Sequence, residues 1–281
     1  MLTNIAEFKD KIKAVFLDID GTLLNSSLQV SNRTMQAIKS LGKRGIYTVI
    51  TSGRARYFAV QLSKDVGASH YVISSNGADI YDYKNKKAIY CSNFDKHILN
   101  QLMNIAFENK VGFVVNSQDD SYSFDSKKND GIFITPNTFK DKNEALEFAN
   151  NNIISQFILK SDKFENMQRA FEQAKLITGL KFANVSRYLR DNLKVKNRVV
   201  FCDITLQADS KGSAIKKLLN YLNLEKLQAA AFGDELNDIT MFENVGLAVA
   251  MGNSIDAVKS EVDFVTDTND NDGVAQVLEL I

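Results

Sequence analysis

The fold of this chain is decided by residues 14–24, which read AVFLDIDGTLL. Four consecutive apolar residues, Ala14 to Leu17, predict a strand that is buried on both faces, as in the middle of a parallel sheet. Asp18 and Asp20 follow at once, with a glycine and a threonine behind them. Ligands of open α/β sheets bind beyond the carboxyl ends of the strands. The stretch therefore indicates a reactive pair of carboxylates, although a strand that ends in a polar turn fits these residues alone equally well.

Composition and charge define the class of protein. The chain has 281 residues, of which 44% are hydrophobic and 24% charged, so two domains with a sizeable core are expected. Basic and acidic residues number 34 each, and this zero net charge favours neither nucleic acid nor an anionic membrane as a partner. The sequence shows no signal-like or membrane-spanning segment, and Cys91 and Cys202 have no metal-type spacing. We expect a cytoplasmic protein with two free thiols. Nothing in the sequence indicates its oligomeric state.

Strand and helix signals alternate in the first and the last part of the chain. Three strand–helix units precede residue 85, and the same rhythm returns near the carboxyl end. Between them lies a segment of mixed elements and polar loops. We therefore predict an α/β fold in which residues 1–85 and 206–281 form a doubly wound, Rossmann-like parallel sheet. Residues 86–205 are predicted to be an inserted α+β domain.

Four polar clusters fall at the carboxyl ends of predicted core strands. They are Asp18 with Asp20, Ser52 with Gly53, Asp234 with Asn237 and Asp238, and Asn253. Because parallel strands end at the same edge of a sheet, the clusters are expected to form one site. The carboxylates of Asp18, Asp20 and Asp234 would repel one another strongly there without a cation. Mg²⁺ binds one or two protein carboxylates together with waters and phosphate oxygens, so we expect a Mg²⁺ site.

Donors suited to a phosphate group accompany these carboxylates. Ser52 and Gly53 lie where a strand turns into a helix, and a helix N-terminus favours anions. Lys211 begins a helix, where a cation opposes the helix dipole, so a functional role explains its position better than a structural one. Asn237 adds a neutral amide donor. Neither histidine lies in any cluster, which leaves a carboxylate as the expected nucleophile, and aspartate is known to form phosphorylated intermediates.

The sequence DIDGTLL at residues 18–24 resembles the first motif of the haloacid dehalogenase superfamily of phosphatases. The resemblance continues through TSGR at 51–54, SNGA at 75–78, KG at 211–212, GDELND at 233–238, AMGN at 250–253 and DGVA at 272–275. Their order and spacing are similar to those of the Cof-type branch. Members of that branch carry a large C2-type α/β cap between the second and third motifs, which would be residues 86–205 here.

The resemblance implies roles for several of the matching residues. Asp18 would attack phosphorus and form an aspartyl-phosphate, while Asp20 would protonate the leaving group and then deprotonate the attacking water. The residues that would hold the phosphoryl group are Asp18, Ile19, Ser52, Gly53, Lys211 and Asn237. The Mg²⁺ ligands would be Asp18, the backbone carbonyl of Asp20, Asp234 and, directly or through water, Asp238. The cap would close over the leaving group and determine selectivity.

The resulting interpretation is a Mg²⁺-dependent phosphatase that acts on small phosphorylated metabolites. Sugar phosphates are the leading substrate class, with flavin and pyridoxal phosphates as further candidates. Two alternatives stay open, namely a phosphoryl-transferring mutase and a non-catalytic module that senses phosphate, although a pure binder would not need the second acid, Asp20. The sequence also leaves open whether Ser52 only caps a helix and whether Asn253 and Asp272 are structural residues. Arg54 is interpreted as a structural or rim residue, and Asn76 with Gly77 as a turn that ends a strand.

Overall fold

The computed structural model of the protein describes residues 5–118, 120–124, 135–195 and 198–281. The chain divides into two compact units, which we call the core unit (Met1–Tyr90 with Ser210–Ile281) and the inserted unit (Cys91–Asp209). The strands are β1 (Ala14–Leu17), β2 (Tyr47–Thr51), β3 (Tyr71–Ser74), β4 (Asp79–Asp82), β5 (Lys87–Cys91), β6 (Gly112–Ser117), β7 (Ser121–Phe124), β8 (Asn137–Thr138), β9 (Ile154–Ser161), β10 (Leu180–Val185), β11 (Val200–Leu206), β12 (Ala229–Gly233), β13 (Leu247–Ala250) and β14 (Phe264–Val265).

The helices alternate with these strands in the core unit and cluster with each other in the inserted unit. They are α1 (Asn32–Lys43), α2 (Arg56–Val66), α3 (Lys96–Asn109), α4 (Lys142–Asn151), α5 (Phe164–Ala174), α6 (Arg187–Arg190), α7 (Lys211–Leu222), α8 (Ile239–Phe242), α9 (Asp256–Lys259) and α10 (Gly273–Leu278). Throughout the part of the chain that the structure describes, no helix is both long enough and apolar enough to cross a bilayer.

The core unit is built on one eight-stranded sheet in the order β14-β13-β12-β1-β2-β3-β4-β5. The strands from β14 to β3 are parallel, and β4 runs antiparallel to β3. Val15 and Leu17 of β1 pack with α1, α2 and α10, whereas Phe16 packs with α7 and α8 on the other face. Burial on both faces explains why β1 is a continuous apolar run. The predicted doubly wound α/β fold is confirmed.

The hairpin of β4 and β5 was not predicted from the sequence. Acidic residues disfavour strands, and β4 begins with Asp79 and ends with Asp82. Both are buried because partners satisfy them: Asp79 pairs with Arg56 and accepts a hydrogen bond from Ser74, and Asp82 accepts bonds from Asn85 in the hairpin turn. Tertiary partners thus outweigh local propensity. The predicted boundary at residue 85 falls inside this hairpin.

The inserted unit has a second sheet, in the order β10-β11-β9-β6-β7-β8. Its pairs are antiparallel except for the pairing of β7 with β8. Side chains of α3, α4, α5 and α6 pack in one hydrophobic core with alternate residues of the central strands, such as Phe157 and Leu159 of β9. The unit is therefore an α+β structure with its own core.

Candidate active site

The four predicted polar clusters follow four neighbouring strands of the core sheet. Strands β13, β12, β1 and β2 are adjacent and parallel, so their carboxyl ends lie at one edge. Asp18 follows β1, Ser52 follows β2, Asp234 follows β12, and Asn253 lies just beyond β13. Residues that are more than 200 positions apart in the sequence are therefore brought to the same edge.

Three carboxylates form the centre of this edge. Asp18, Asp234 and Asp238 each offer an oxygen, and these oxygens lie within 4.8 Å of one another. Burial raises the pKa of Asp18 well above its usual range, and the charge of Asp238 raises it further. Burial also raises the pKa of Asp234, to about 7, although a hydrogen bond from Thr22 opposes the change. Negative charge is crowded at this point, and a cation that binds oxygen ligands would relieve it.

Lys211 lies buried between two of these carboxylates, at the first position of α7. Its Nζ donates to Oδ1 of Asp18 and to Oδ1 of Asp238, both at 2.6 Å. Burial lowers the pKa of Lys211, but the two negative charges outweigh burial and the pKa is raised. The same charges offset the unfavourable position of a cation at a helix N-terminus. The ammonium is thus fixed and permanently charged beside Asp18.

Asp238 is held by three donors. Besides the bond from Lys211, its Oδ2 accepts backbone N–H bonds from Asp234 at 2.9 Å and from Glu235 at 3.0 Å. A side chain at Gly233 would place its Cβ 2.5 Å from the Cβ of Asp238, so only glycine fits there. Asp238 therefore stabilises the turn that carries Asp234, and both of its oxygens already accept hydrogen bonds.

Asp20 is exposed and is not part of the cluster of three carboxylates. Its two oxygens accept hydrogen bonds from Nε of Arg54 at 2.8 Å and from Nη2 at 2.6 Å, a bidentate pair. The guanidinium also lies over the ring of Phe58, with 4.2 Å from Cζ to the ring centroid. The hydrogen bond to Asp20 raises the pKa of Arg54. Arg54, expected from the sequence to be a structural or rim residue, thus holds the side chain of the predicted proton carrier.

The loop after β1 is shaped by its contact with Asp234. Gly21 has φ +77°, and a Cβ on it would lie 2.1 Å from Oδ2 of Asp234, so glycine is needed here for two reasons. Thr22 donates its hydroxyl to Oδ1 of Asp234 at 2.7 Å. The side chain of Ile19 is buried in the core, and its carbonyl accepts N–H bonds from residues 23–24. Because its side chain is buried, Ile19 could contact a ligand only through its backbone.

Asn253 makes hydrogen bonds that join two loops in the same region. Its Nδ2 donates to the carbonyl of Gly21 at 2.8 Å, and its Oδ1 accepts from the backbone N–H of Asn269 at 3.0 Å. It thus ties the loop after β1 to the loop before α10. Asp272 occupies the N-cap of α10 with φ 59°, and its side chain makes no capping hydrogen bond. Neither residue belongs to the carboxylate cluster.

Ser52 is buried and does not cap α2. That helix begins at Arg56 with Ala55 as its N-cap, whereas the Ser52 hydroxyl accepts a bond from the backbone N–H of Arg54 at 3.1 Å. The carbonyl of Ser52 accepts from the backbone N–H of Asn76 at 3.0 Å. The hydroxyl thus closes a short turn at the end of β2, the strand that pairs with β1.

Asn76 connects two of the predicted phosphate donors. Its Oδ1 accepts a hydrogen bond from Nδ2 of Asn237 at 3.1 Å, and its side chain lies against Gly53, where a Cβ would come 2.9 Å from Nδ2 of Asn76. From the sequence, Asn76 and Gly77 are expected to form a turn that ends a strand. The turn was predicted correctly, but its contact with residue 237 could not be inferred from local pattern.

Comparison with known proteins identifies the family. The chain matches the haloacid dehalogenase-like hydrolases over residues 15–278. It is 30% identical over 303 aligned positions to the phosphatase YwpJ of Bacillus subtilis, covering 95% of this chain and 99% of YwpJ. It is 29% identical over 269 positions to the 5-amino-6-(5-phospho-D-ribitylamino)uracil phosphatase YcsE of the same organism, covering 95% and 94%.

A solved structure gives the same result for the fold. The crystal structure of TM0651 from Thermotoga maritima superposes with a TM-score of 0.79 at 25% identity, covering 96% of this chain and 97% of that one. The family match, the named phosphatases and the superposition agree with the motifs in the sequence. The chain belongs to the haloacid dehalogenase-like hydrolase family and is an enzyme of the phosphatase group within it.

Proposed function

We propose that this chain hydrolyses the phosphate monoesters of small metabolites through an aspartyl-phosphate on Asp18. The observation that carries the proposal is the buried cluster in which Lys211 donates to both Asp18 and Asp238 at 2.6 Å while Asp234 lies within 4.8 Å. A polar turn at the end of a strand does not require three clustered carboxylates around one buried ammonium. Phosphoryl transfer, in contrast, depends mainly on positioning and charge stabilisation.

In the proposed reaction, an oxygen of Asp18 attacks phosphorus and the bond from phosphorus to the leaving alkoxide breaks. Asp20 protonates the alkoxide as it departs. Asp20 then takes a proton from a water molecule, which attacks the aspartyl-phosphate, and inorganic phosphate leaves as Asp18 is regenerated. The exposed carboxyl group of Asp20 is accessible to a leaving group and is oriented by its pair with Arg54, which supports a role outside the buried cluster.

Mg²⁺ fits the donor set of this edge. Asp18 and Asp234 present crowded carboxylate oxygens, and Mg²⁺ prefers such hard ligands. We propose that these two residues bind the ion with their side chains and Asp20 with its backbone carbonyl. Asp238, whose oxygens already accept three hydrogen bonds, would support the ion through water. When bound, the ion supplies positive charge to the oxygens of the transferred group.

The phosphoryl group is proposed to bind among five donors at the same edge. They are the backbone N–H of Ile19, the hydroxyl of Ser52, the N–H of Gly53, the ammonium of Lys211 and the amide of Asn237. Their places in the fold support this assignment. Ile19, Ser52, Gly53 and Asn237 follow strands that end at this edge, and Lys211 begins α7 and contacts Asp18. Together they would stabilise the charge that spreads over the transferred oxygens.

The substrate is proposed to be a small phosphate ester such as a sugar phosphate. The relative YcsE acts, by its name, on a phosphorylated ribitylamino compound, which is a polyhydroxylated ester of this kind. We further propose that the inserted unit, predicted from the sequence as residues 86–205, determines which ester is accepted. We also propose a cytoplasmic location, a reducing compartment in which Cys91 and Cys202 would stay free thiols.

Phosphate release from p-nitrophenyl phosphate, measured with and without Mg²⁺, tests the proposal. The wild type is expected to turn over only with a divalent metal, and Asp18→Asn to lose at least about a hundredfold in kcat. Asp65→Asn, on the exposed face of α2, is the matched control and should keep wild-type activity. No turnover with any metal, or undiminished turnover in Asp18→Asn, would overturn the proposal. An isomeric ester in place of free phosphate, seen with sugar phosphates, would assign a mutase instead.

A further inference from the structure

Three consecutive residues of the core unit adopt positive φ angles. Ser75, Asn76 and Gly77, which follow β3, have φ values of 52°, 54° and 93°. Such angles are uncommon outside glycine, although asparagine tolerates them better than most residues. A backbone of this kind persists only where its surroundings hold it, and it is found most often at functional sites. We call Ser75–Gly77 the left-handed turn.

The first contact of the left-handed turn is with the loop that follows β2. The backbone N–H of Asn76 donates to the carbonyl of Ser52 at 3.0 Å, and that of Ser75 donates to the carbonyl of Arg54 at 2.9 Å. Between these two bonds the Asn76 carboxamide covers Gly53, where an added Cβ would meet it at 2.9 to 3.2 Å. The turn therefore fixes the backbone that presents the Ser52 hydroxyl and the Gly53 N–H.

The second contact is with Asn237. Its Nδ2 donates to Oδ1 of Asn76 at 3.1 Å. A carboxamide NH₂ group has two donors in one plane, so a bond made by one of them also sets the direction of the other. Asn76 thereby orients the amide of Asn237.

The third contact is with the residue that precedes Lys211. A Cβ on Gly77 would lie 2.0 Å from the backbone oxygen of Ser210, which means that the turn touches the main chain at the start of α7. Ser210 is the N-cap of that helix and accepts a bond from the N–H of Ser213 at 3.0 Å. The turn thus also limits the position of the first residue of α7.

We propose that Asn76 is a positioning residue for phosphoryl binding. The left-handed turn fixes the relative positions of three groups of donors, namely the loop of Ser52 and Gly53, the amide of Asn237, and Lys211 at the start of α7. Asn76 acts through Asn237 and Gly53 and need not touch the substrate. The inference rests on the proposed function, since it assumes that Ser52, Gly53, Lys211 and Asn237 hold the phosphoryl group. It adds a residue to which neither the motifs nor the carboxylate cluster assigned a role.

Asn76→Gly isolates the side chain, because glycine adopts the left-handed backbone without strain. We expect the KM for p-nitrophenyl phosphate and the inhibition constant of inorganic phosphate each to rise about tenfold, the worth of about one hydrogen bond. The matched control is Asn223→Gly, an exposed asparagine with φ 55° at the end of α7. It should leave both constants unchanged. Equal constants in wild type and Asn76→Gly would overturn the inference.

A double-mutant cycle with Asn237→Ala separates positioning from a general structural effect. Because Asn76 acts in part through Asn237, adding Asn76→Gly to Asn237→Ala should raise the inhibition constant of phosphate by clearly less than the roughly tenfold expected in the wild type. Fully additive effects would contradict the inference. Should Asn76→Gly fold poorly, Gly53→Ala offers a second approach, because its methyl group displaces the Asn76 carboxamide and leaves the turn's sequence intact. Its effect should shrink in the Asn237→Ala background, and an undiminished effect would count against the inference.

The two levels of the proposal fail in different ways. If the wild type releases no phosphate from any ester, the proposed function is wrong. If the wild type is an active phosphatase and Asn76→Gly binds phosphate as well as the wild type does, only the role of Asn76 is wrong.

Discussion

Replacing Asp234 by asparagine is expected to stabilise the metal-free protein and to remove its response to Mg²⁺. Burial raises the pKa of Asp234 to about 7 from an ordinary 3.8, assisted by the charge of Asp238 and opposed by the hydrogen bond from Thr22. Asparagine keeps an oxygen that can accept the Thr22 hydroxyl, which now lies 2.7 Å from Oδ1. The substitution therefore removes the charge with little change in packing.

The magnitude follows from the difference between the two pKa values. About three pKa units at 1.36 kcal/mol each give an upper bound of about 4 kcal/mol. Since the charge is shared among coupled carboxylates, we expect Asp234→Asn to raise the free energy of unfolding by about 1–2 kcal/mol. The sign is set by the raised pKa of the folded state. As pH rises from about 4 to about 7, the unfolded chain ionises first, so wild-type stability falls through this range and the penalty is complete above about pH 7.

The assay is thermal unfolding in EDTA at two pH values. Asp234→Asn should exceed the wild type by about 2–8 °C in Tm at about pH 8, and by less at about pH 5. Added Mg²⁺ should raise the Tm of the wild type but not that of the variant. Asp270→Asn is a control that should lower the Tm. Hydrogen bonds from Ser26 lower the pKa of that exposed carboxylate, so its charged form favours the folded state. A variant less stable than the wild type at about pH 8 in EDTA, or an equal response of both to Mg²⁺, would contradict the argument.

Three further substitutions test other parts of the site. Lys211→Met leaves two buried carboxylates without their shared cation and should cost about 3–5 kcal/mol of unfolding free energy in denaturant titrations without metal; a loss below about 1 kcal/mol would be inconsistent with the ion pairs. Gly21→Ala places a methyl group against Asp234 and should weaken Mg²⁺ binding at least about tenfold by calorimetry, so unchanged affinity would exclude Asp234 as a ligand. Arg54→Gln frees Asp20 and should lower kcat about 10–100-fold for alkyl phosphates but little for activated aryl phosphates, whose leaving groups need no proton; equal losses for both would argue against a role in proton transfer.

The sequence predicted the central part of the fold because that part is governed by burial. The run from Ala14 to Leu17 is apolar on both faces since β1 lies in the middle of the parallel sheet. The site edge followed from the same logic, because residues that end neighbouring parallel strands meet in space. Lys211 was recognised by its conflict with the helix dipole, and the structure shows that Asp18 and Asp238 resolve this conflict.

The sequence could not predict features that depend on a distant partner. The bidentate pair of Arg54 with Asp20, and the bond of Asn76 with Asn237, join residues that no local pattern connects. The strand beginning at Asp79 was missed for the same reason, since its acid is tolerated only beside Arg56 and Ser74. In each case the position of a polar side chain depends on the group that it contacts, which local propensity does not reveal.

The central claim is that Asp18 carries the phosphoryl group during turnover. Acid-quenching the enzyme during hydrolysis of a radiolabelled aryl phosphate, followed by peptide mapping, tests it directly. We expect a label that hydroxylamine removes, located on the peptide containing Asp18 and absent in Asp18→Asn. In Asp20→Asn, which lacks the base for the second step, the label should accumulate if an activated ester is used. Turnover by the wild type without any covalent label, or a label on another peptide, would show that Asp18 is not the nucleophile.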